Sequence, residues 1–468
     1  MKTFSIENFG CRATDADAAS IRRELLAQGL SLSAGHSSAD VVVLNTCTVT
    51  AAADSQAREA VRKIHRTNPA ARILVTGCYA QRAPEELAAI EGVAWVVGNS
   101  YQTKIPELVR RISAATGASH LLPKADFVPL ARLHGDSMSL ARGPAKILTG
   151  DIFVQSTVPV ARGIDDRTRP ILKIQDGCNN RCSYCVIPFV RGRSRSLPPE
   201  SVLDEVRNLT RENIKEIVLS GINLGSYGRD LTPKAGLADT VRRILDETSL
   251  DQLRFSSIEP QDVTEEFVEL VASSARIAPH FHVPLQSGSD RILRAMHRWY
   301  RAAHYAERIQ LIRRLLPHAA IGADVIAGFP GETEEDFQAT REFIERLPFT
   351  YLHVFSFSER PGTKAAAQSE ALVPPQIIRE RARALRALSL QTATAFRAAM
   401  AGRTLRALTL ARGGENWTEA LTGNYLKVRI TGRRPSNEWH EVLLAADSQE
   451  IVIAASGAPV PIAAFACA

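Results

Sequence analysis

The nine residues Gly177–Cys185, GCNNRCSYC, constrain this chain more than any other stretch. Cys178, Cys182 and Cys185 stand in a Cys-x3-Cys-x2-Cys array. Three thiols packed into so short a segment suit a metal cluster better than a disulfide framework. An iron–sulfur cube normally takes four cysteine ligands. Three close cysteines hold a cube and leave one iron open to another ligand. Cys-x2-Cys pairs also occur in structural zinc sites, but no fourth cysteine or suitably spaced histidine lies nearby to close a tetrahedron.

The remaining sequence bounds what surrounds that array. A chain of 468 residues is too long for one ordinary core, so about two to four domains are expected. A hydrophobic content of 45% with 23% charged residues describes a globular chain and argues against disorder. The opening MKTFSIENFG lacks a basic segment followed by an apolar one, so no signal peptide is expected. No apolar run reaches about 18 residues, so no membrane span or membrane partner is expected either. Seven cysteines is an odd count, which fits reduced thiols in a cytoplasmic protein better than disulfides. The net charge of +7 favours a polyanionic partner, although arginine-rich composition alone produces the same surplus.

Residues 1–122 alternate short apolar strands with amphipathic helices. Strands are predicted at Thr3–Asn8, Asp40–Leu44, Arg72–Thr76 and Ala94–Gly98. Ala18, Ile21 and Leu25 recur at helical spacing, as do Ala57, Ala60, Val61 and Ile64. This β-α-β-α-β order predicts an open parallel sheet covered by helices. Cys11, Cys47 and Cys78 each follow one of the first three strands, in FGCRAT, NTCTVT and TGCYAQ. Parallel strands place their carboxyl ends on one edge, so the three thiols can converge there. Three unrelated core cysteines are the alternative. Cys467 has no such setting and reads as incidental.

Residues 123–168 read as a linker, with a short hairpin around Asp151–Gln155. A second α/β series occupies 169–400. Its strands are predicted at Ile171–Gln175, Glu216–Leu219, Gln252–Ser256, His280–Val283, Gly322–Ile326 and Tyr351–Phe355. Six β-α units predict a partial (β/α)6 barrel, with function at the strand carboxyl ends. The first strand delivers Cys178 to that edge. Gln376–Met400 reads as a long helix, and 401–468 as a small β-barrel of short strands. The fold class expected is therefore multidomain α/β: an open sheet, a partial barrel, then a small all-β domain.

The cysteine array resembles the radical S-adenosylmethionine (SAM) signature. The whole order resembles the radical SAM methylthiotransferase family, and the last domain is similar to the RNA-binding TRAM module. SSIEP at 256–260, HVPLQSGSDRILRAMHR at 282–298 and ADVIAGFPGETEEDF at 323–337 are similar to signatures of that family. The resemblance implies two [4Fe-4S] clusters and SAM, serving as methyl donor and as radical source. Cys178, Cys182 and Cys185 would carry the radical-generating cluster, and Cys11, Cys47 and Cys78 an auxiliary one bearing the sulfur to be transferred. A reductant protein and a sulfur donor are implied as partners.

Three branches of the family differ in substrate. One modifies isopentenyl-adenosine of tRNA, one an aspartate of a ribosomal protein, and one N6-threonylcarbamoyladenosine at tRNA position 37. NTCTVT, VTGCYAQ and NFGCRAT look most like the third, giving the 2-methylthio derivative (ms2t6A). RATD at 12–15 departs from the run more usual in that branch. A non-catalytic RNA-binding zinc protein is the remote alternative.

Further site residues follow from the resemblance. Tyr184 matches the aromatic beside the SAM adenine, with ordinary loop packing as its alternative. Ser220 and Gly221 end the second barrel strand, where backbone groups meet the SAM ammonium; LSGIN stands there in place of the usual Gly-Gly-Glu. Gln286 and Gly288 would face the ribose. Gly328 would admit the backbone to the adenine, since glycine permits close approach. Arg191, Arg193 and Arg195 in RGRSRS suit phosphate or SAM-carboxylate contacts, or form a solvated basic loop. In the last domain Lys427 and Arg429, with Arg433 and Arg434, flank Tyr425 and Trp417, a set suited to the anticodon loop of tRNA.

Overall fold

The computed structural model describes residues 3–115, 145–155, 158, 168–444 and 452–456. It divides into two compact units that do not follow chain order. The first comprises Met1–Gly163, Gln175–Ser196 and Ser358–Thr363; the second comprises Ile164–Ile174, Leu197–Phe357 and Lys364–Ala468.

The first unit is built on six strands: β1 (Thr3–Phe9), β2 (Ser31–Leu32), β3 (Val41–Thr46), β4 (Arg72–Gly77), β5 (Val93–Gly98) and β6 (Lys146–Leu148). They pair in the order β2-β1-β3-β4-β5-β6, all parallel. The central strand β3, VVVLNT, is buried along its whole length, as a strand covered on both faces must be. Its side chains alternate between two cores. Val42 and Leu44 pack with Val61 and Ile64 of helix Ala51–Thr67. Val41 and Val43 pack with Ile21 and Leu25 of helix Arg12–Ala27.

β6 corrects the linker expectation. Lys146–Leu148 adds an edge strand to this sheet through Ile147 and Leu148, both buried. Three residues are too few to show a period, so the segment is silent in a pattern reading. The hairpin expected around Asp151–Gln155 is instead a 3-10 turn at Ile152–Val154. Asp151 caps it, its Oδ1 accepting from the Phe153 amide at 2.8 Å. Of the expected linker, residues 123–144, 156–157 and 159–167 lie outside the described residues.

The second unit carries an open parallel array. β7 (Ile171–Asp176) enters it, followed by β8 (Arg195–Ser196), β9 (Glu216–Gly221), β10 (Gln252–Phe255), β11 (His280–His282), β12 (Ala320–Ala327) and β13 (Tyr351–Ser356). β10 pairs with β9, and β11-β12-β13 form a parallel set. A bridge between Ser257 and His282 joins the two. Helices such as Pro199–Arg211, Leu237–Glu247, Ala302–Leu315 and Glu334–Glu345 alternate with the strands. This is the expected partial barrel. The short β8, which returns antiparallel to β7 in the first unit, was not foreseen.

Helix Pro375–Met400 leads to a closed five-stranded barrel in the order β14-β15-β16-β18-β17. Its strands are β14 (Thr404–Gly414), β15 (Trp417–Thr422), β16 (Lys427–Thr431), β17 (Trp439–Leu444) and β18 (Val452–Ser456). The β15–β16 turn is fixed to the base of the partial barrel. Buried Arg254 donates to the carbonyls of Gly423 at 2.9 Å and Thr422 at 3.2 Å, while Glu216 accepts from its Nε at 2.7 Å. Tyr425 stacks on His280 with ring centroids 4.2 Å apart. Tyr425 is thus half-buried against His280, beside the basic residues of β16.

Candidate metal centres

The N-terminal cysteines sit on one line of the sheet edge. Phe9, Thr46 and Gly77 are register partners at the ends of adjacent β1, β3 and β4. Cys11, Cys47 and Cys78 follow within two residues. Neighbouring strands are about 4.8 Å apart, so this register brings the three thiols to one edge. Two glycines make the convergence possible. Gly10 (φ +153°) leaves the space where a Cβ would fall 2.7 Å from Cys47 Cβ. At Gly77 (φ +98°) a Cβ would fall 2.3 Å from the Thr46 carbonyl oxygen. Any side chain there would strain the backbone and push the loops apart.

The surroundings hold the thiols in place. The Val49 amide donates to Cys47 Sγ at 3.5 Å. Asn99 Nδ2 reaches Cys78 Sγ at 3.5 Å and the Val190 carbonyl at 2.9 Å. Burial, with the Cys11 and Cys78 thiols alongside, pushes the Cys47 thiol up to about 12. Burial also raises Cys78, against the pull of Arg191. Such thiols stay protonated until a metal displaces the protons. The loop behind Cys47 is tied at Asp54. Its carboxylate accepts from Thr48 Oγ1 at 2.6 Å, Arg82 at 3.0 Å and Arg360 at 2.6 Å. Arg360 and its RPGT segment carried no signal in the sequence reading, because its partner lies 306 residues away.

The second array belongs to the same unit. Gly177 (φ +70°) turns the chain out of β7; a Cβ there would lie 2.0 Å from the Arg193 carbonyl oxygen. The Cys178 amide donates to the Gly192 carbonyl at 3.1 Å, closing the loop that holds the array. Gln175 Nε2 braces its base, donating to the carbonyls of Asp176 at 3.0 Å and Gly177 at 2.8 Å. Cys178, Cys182 and Cys185 are all partly accessible. Val186 and Val190, just after the array, pack directly on Cys78. Cys78 and the segment that follows the second array thus share one small apolar cluster.

An ion group fixes that contact. Arg191 is buried in the helix Ile187–Arg191. It donates to Asp17 Oδ2 at 2.8 Å and to both Asp176 oxygens, at 3.1 and 3.2 Å. Asp17 lies on the helix after Cys11, and Asp176 lies two residues before Cys178. One guanidinium therefore ties both cysteine loops. Burial works against its charge, but Cys78, Asp176, Asp17 and Cys11 together hold its pKa well above the usual value. Arg195 is buried too, donating to the Arg191 carbonyl at 2.8 Å. Both depart from the phosphate-facing role expected for this segment: Asp176 draws both inward, and Asp17 also holds Arg191. Arg193 is exposed.

The donor set fits two iron–sulfur clusters. Around a single zinc ion the sulfurs would stand about 3.8 Å apart, given Zn–S bonds of about 2.3 Å. Among the described residues, neither cysteine set forms a group with ligand atoms within 4.8 Å of one another. Such spacing suits a cube, which is several ångströms across. Three thiolates per set also leave one iron of each cube open.

The other expected residues divide between the units. Tyr184 is half-buried within the array loop of the first unit. In the second, Ser220 and Gly221 close β9. Gln286 adopts φ +66°, its amide donating to the Asp324 carbonyl at 2.8 Å. Gly288 packs on the helix Glu334–Glu345, where a Cβ would lie 2.7 Å from Thr340 Cα. The close neighbour of Gly328 is Ile378, 2.4 Å from a Cβ placed there, and its amide donates to Glu332 Oε2 at 2.8 Å. Helix packing leaves no room for a side chain at either glycine. Lys427 and Arg429 lie on exposed positions of β16. Arg429 sits over the Trp417 ring, 4.4 Å from its centroid, and Lys427 lies 3.6 Å from Glu419. Among the described residues no helix is long and apolar enough to cross a membrane.

Residues 172–344 match the radical SAM superfamily, and 3–98 match the uncharacterized protein family UPF0004. The threonylcarbamoyladenosine tRNA methylthiotransferase MtaB of Aquifex aeolicus is 35% identical over 445 residues, covering 94% of this chain and 99% of that protein. The tRNA-2-methylthio-N(6)-dimethylallyladenosine synthase of Syntrophobacter fumaroxidans is 35% identical, covering 77% of this chain and 75% of its own. The structure of the radical S-adenosylmethionine methyltransferase TsrM of Kitasatospora setae, with cobalamin and a [4Fe-4S] cluster bound, superposes with a TM-score of 0.53. It is 18% identical and covers 78% of this chain and 77% of that one, a likeness of fold.

Proposed function

This chain belongs to the radical SAM tRNA methylthiotransferases, and from that premise we propose that it converts N6-threonylcarbamoyladenosine at position 37 of tRNA to its 2-methylthio derivative. The observation that carries the chemistry is the pair of three-cysteine sets in one unit, joined through Cys78, Val186, Val190 and Arg191. The match to the Aquifex relative, which covers 94% of this chain and 99% of that protein, favours this substrate over dimethylallyladenosine, whose synthases are covered to 75–80% of their own length.

Cys178, Cys182 and Cys185 would hold the cluster that binds SAM, and Cys11, Cys47 and Cys78 the auxiliary one. When bound, these groups supply the one-electron chemistry that breaks an unactivated aromatic C–H bond, which acid–base groups cannot do. The chain's own residues set the stage. The row Phe9, Thr46 and Gly77 fixes three thiols at one edge. Gly177 and Gly192 fold the array loop. Arg191 places a permanent positive charge beside Cys78, which works against burial to favour its thiolate form.

Exposed Arg429 stacked on Trp417 suits a single-stranded RNA loop, where phosphate pairing and base stacking combine. Position 37 lies in an anticodon loop and is reached without unwinding a duplex. A reductant protein and a sulfur donor complete the reaction, in the cytoplasm. The test is anaerobic incubation of the cluster-loaded protein with SAM, reductant, sulfide and tRNA bearing either modified adenosine, followed by nucleoside mass spectrometry. Thiolation of the threonylcarbamoyl nucleoside is the expected result. Thiolation confined to the dimethylallyl nucleoside would reassign the substrate.

A further inference from the structure

A second constellation lies in the other unit, on one face of β11-β12-β13. Register places its members. His282 pairs with Gly322, Gly322 with Tyr351, and Asp324 with His353. Side chains two residues apart share a face, so His280, His282, Asp324, Tyr351 and His353 project together. Asp324 Oδ1 lies 2.9 Å from His282 Nε2 and 3.3 Å from His353 Nδ1, and the three ligand atoms lie within 4.8 Å of one another. Ligand atoms around one tetrahedral ion, with bonds of about 2.0–2.1 Å, stand about 3.3 Å apart.

We propose that His282, Asp324 and His353 bind one divalent transition-metal cation of the zinc or iron(II) class, apart from both cysteine sets.

Two further features support the site. First, the ligand at its inner end is braced. Tyr351 Oη lies 3.1 Å from His282 Nδ1 and 2.8 Å from His280 Nε2. A metal-binding histidine characteristically has its other ring nitrogen fixed in this way. Gly322 makes the brace possible, since a Cβ there would fall 2.0 Å from Tyr351 Cζ. Second, the site is open on one side: His282 is buried, Asp324 is partly covered, and the His353 side chain is 55% exposed. Imidazole with carboxylate suits borderline cations, and three protein ligands leave a position for water or another oxygen ligand.

The experiment uses the full chain with both clusters assembled, so that the cysteines are occupied. Zinc binding is measured by equilibrium dialysis and metal analysis, with X-ray absorption at the zinc edge. Wild type should hold one zinc in a nitrogen/oxygen shell containing imidazole. His353→Ala, at an exposed position, should lose that zinc while the iron content and thermal unfolding stay unchanged. Tyr351→Phe should weaken binding about tenfold or more, as loss of a bracing partner does. Equal zinc in wild type and His353→Ala, or a shell containing sulfur, would overturn the site and leave the cysteine assignments untouched.

Discussion

Replacing Arg191 with Met keeps the bulk of the side chain and removes the cation that joins both cysteine loops. In the native protein the Arg191 side chain is 2% exposed, Asp17 is 1% and Asp176 is 6%. Water therefore cannot take over the lost interactions. Removing one partner of a buried ion group costs about 3–5 kcal/mol. For a unit of this size, about 2–4 °C is lost per kcal/mol, so the melting transition should fall by roughly 10 °C. Arg191→Lys should fall in between, since an ammonium cannot reproduce the fork that reaches two carboxylates. The triple variant Arg191→Met, Asp17→Asn, Asp176→Asn should recover part of the loss, because it no longer buries charges that have lost their cation. Calorimetry of the apoprotein under reducing conditions reads all three. Iron content after reconstitution should fall for both cysteine sets in Arg191→Met. A melting shift equivalent to less than about 1 kcal/mol would refute the claim that this group holds the loops together.

Other outcomes follow from the same geometry. Ala at Cys11, Cys47 or Cys78 should leave reductive SAM cleavage measurable by 5′-deoxyadenosine release while abolishing thiolation; Cys178→Ala should abolish the release itself. Arg429→Ala should lower the slope of log affinity for tRNA against log salt by about 1, and Trp417→Ala should weaken binding by about 1–3 kcal/mol at every salt concentration. Glu216 is buried; burial alone would raise its pKa, but Arg254 and Arg169 outweigh that and lower it. Its contribution to stability is thus present above the ordinary glutamate range and is lost as pH falls through that range and below. Acid unfolding of Glu216→Gln should show a shallower pH dependence than wild type, and identical curves would count against the link.

The parts legible in the sequence are those set by local pattern. Strand periods and the position of Cys11, Cys47 and Cys78 after three strands were enough to predict a parallel edge carrying the thiols. The parts missed depend on distant partners. Arg191 reads as a surface cation until Asp17, 174 residues away in sequence, is brought beside it. Tyr425 reads as an RNA-stacking aromatic among basic residues, and its contacts with His280 and Tyr351 appear only in the fold. The close packing beside Gly288, by helix Glu334–Glu345, and beside Gly328, by Ile378, likewise comes from distant segments. β6 is too short to show a period and pairs with a strand about fifty residues earlier. His282, Asp324 and His353 come from three strands, and only the sheet register places them together.

The substrate assignment is tested most directly by nucleoside mass spectrometry of total tRNA from cells lacking this gene, against the same cells complemented with it. The account predicts that 2-methylthio-N6-threonylcarbamoyladenosine disappears, its unthiolated parent accumulates, and complementation restores it while the Cys47→Ala gene does not. An unchanged level of that nucleoside, with loss of the 2-methylthio dimethylallyl nucleoside instead, would contradict it.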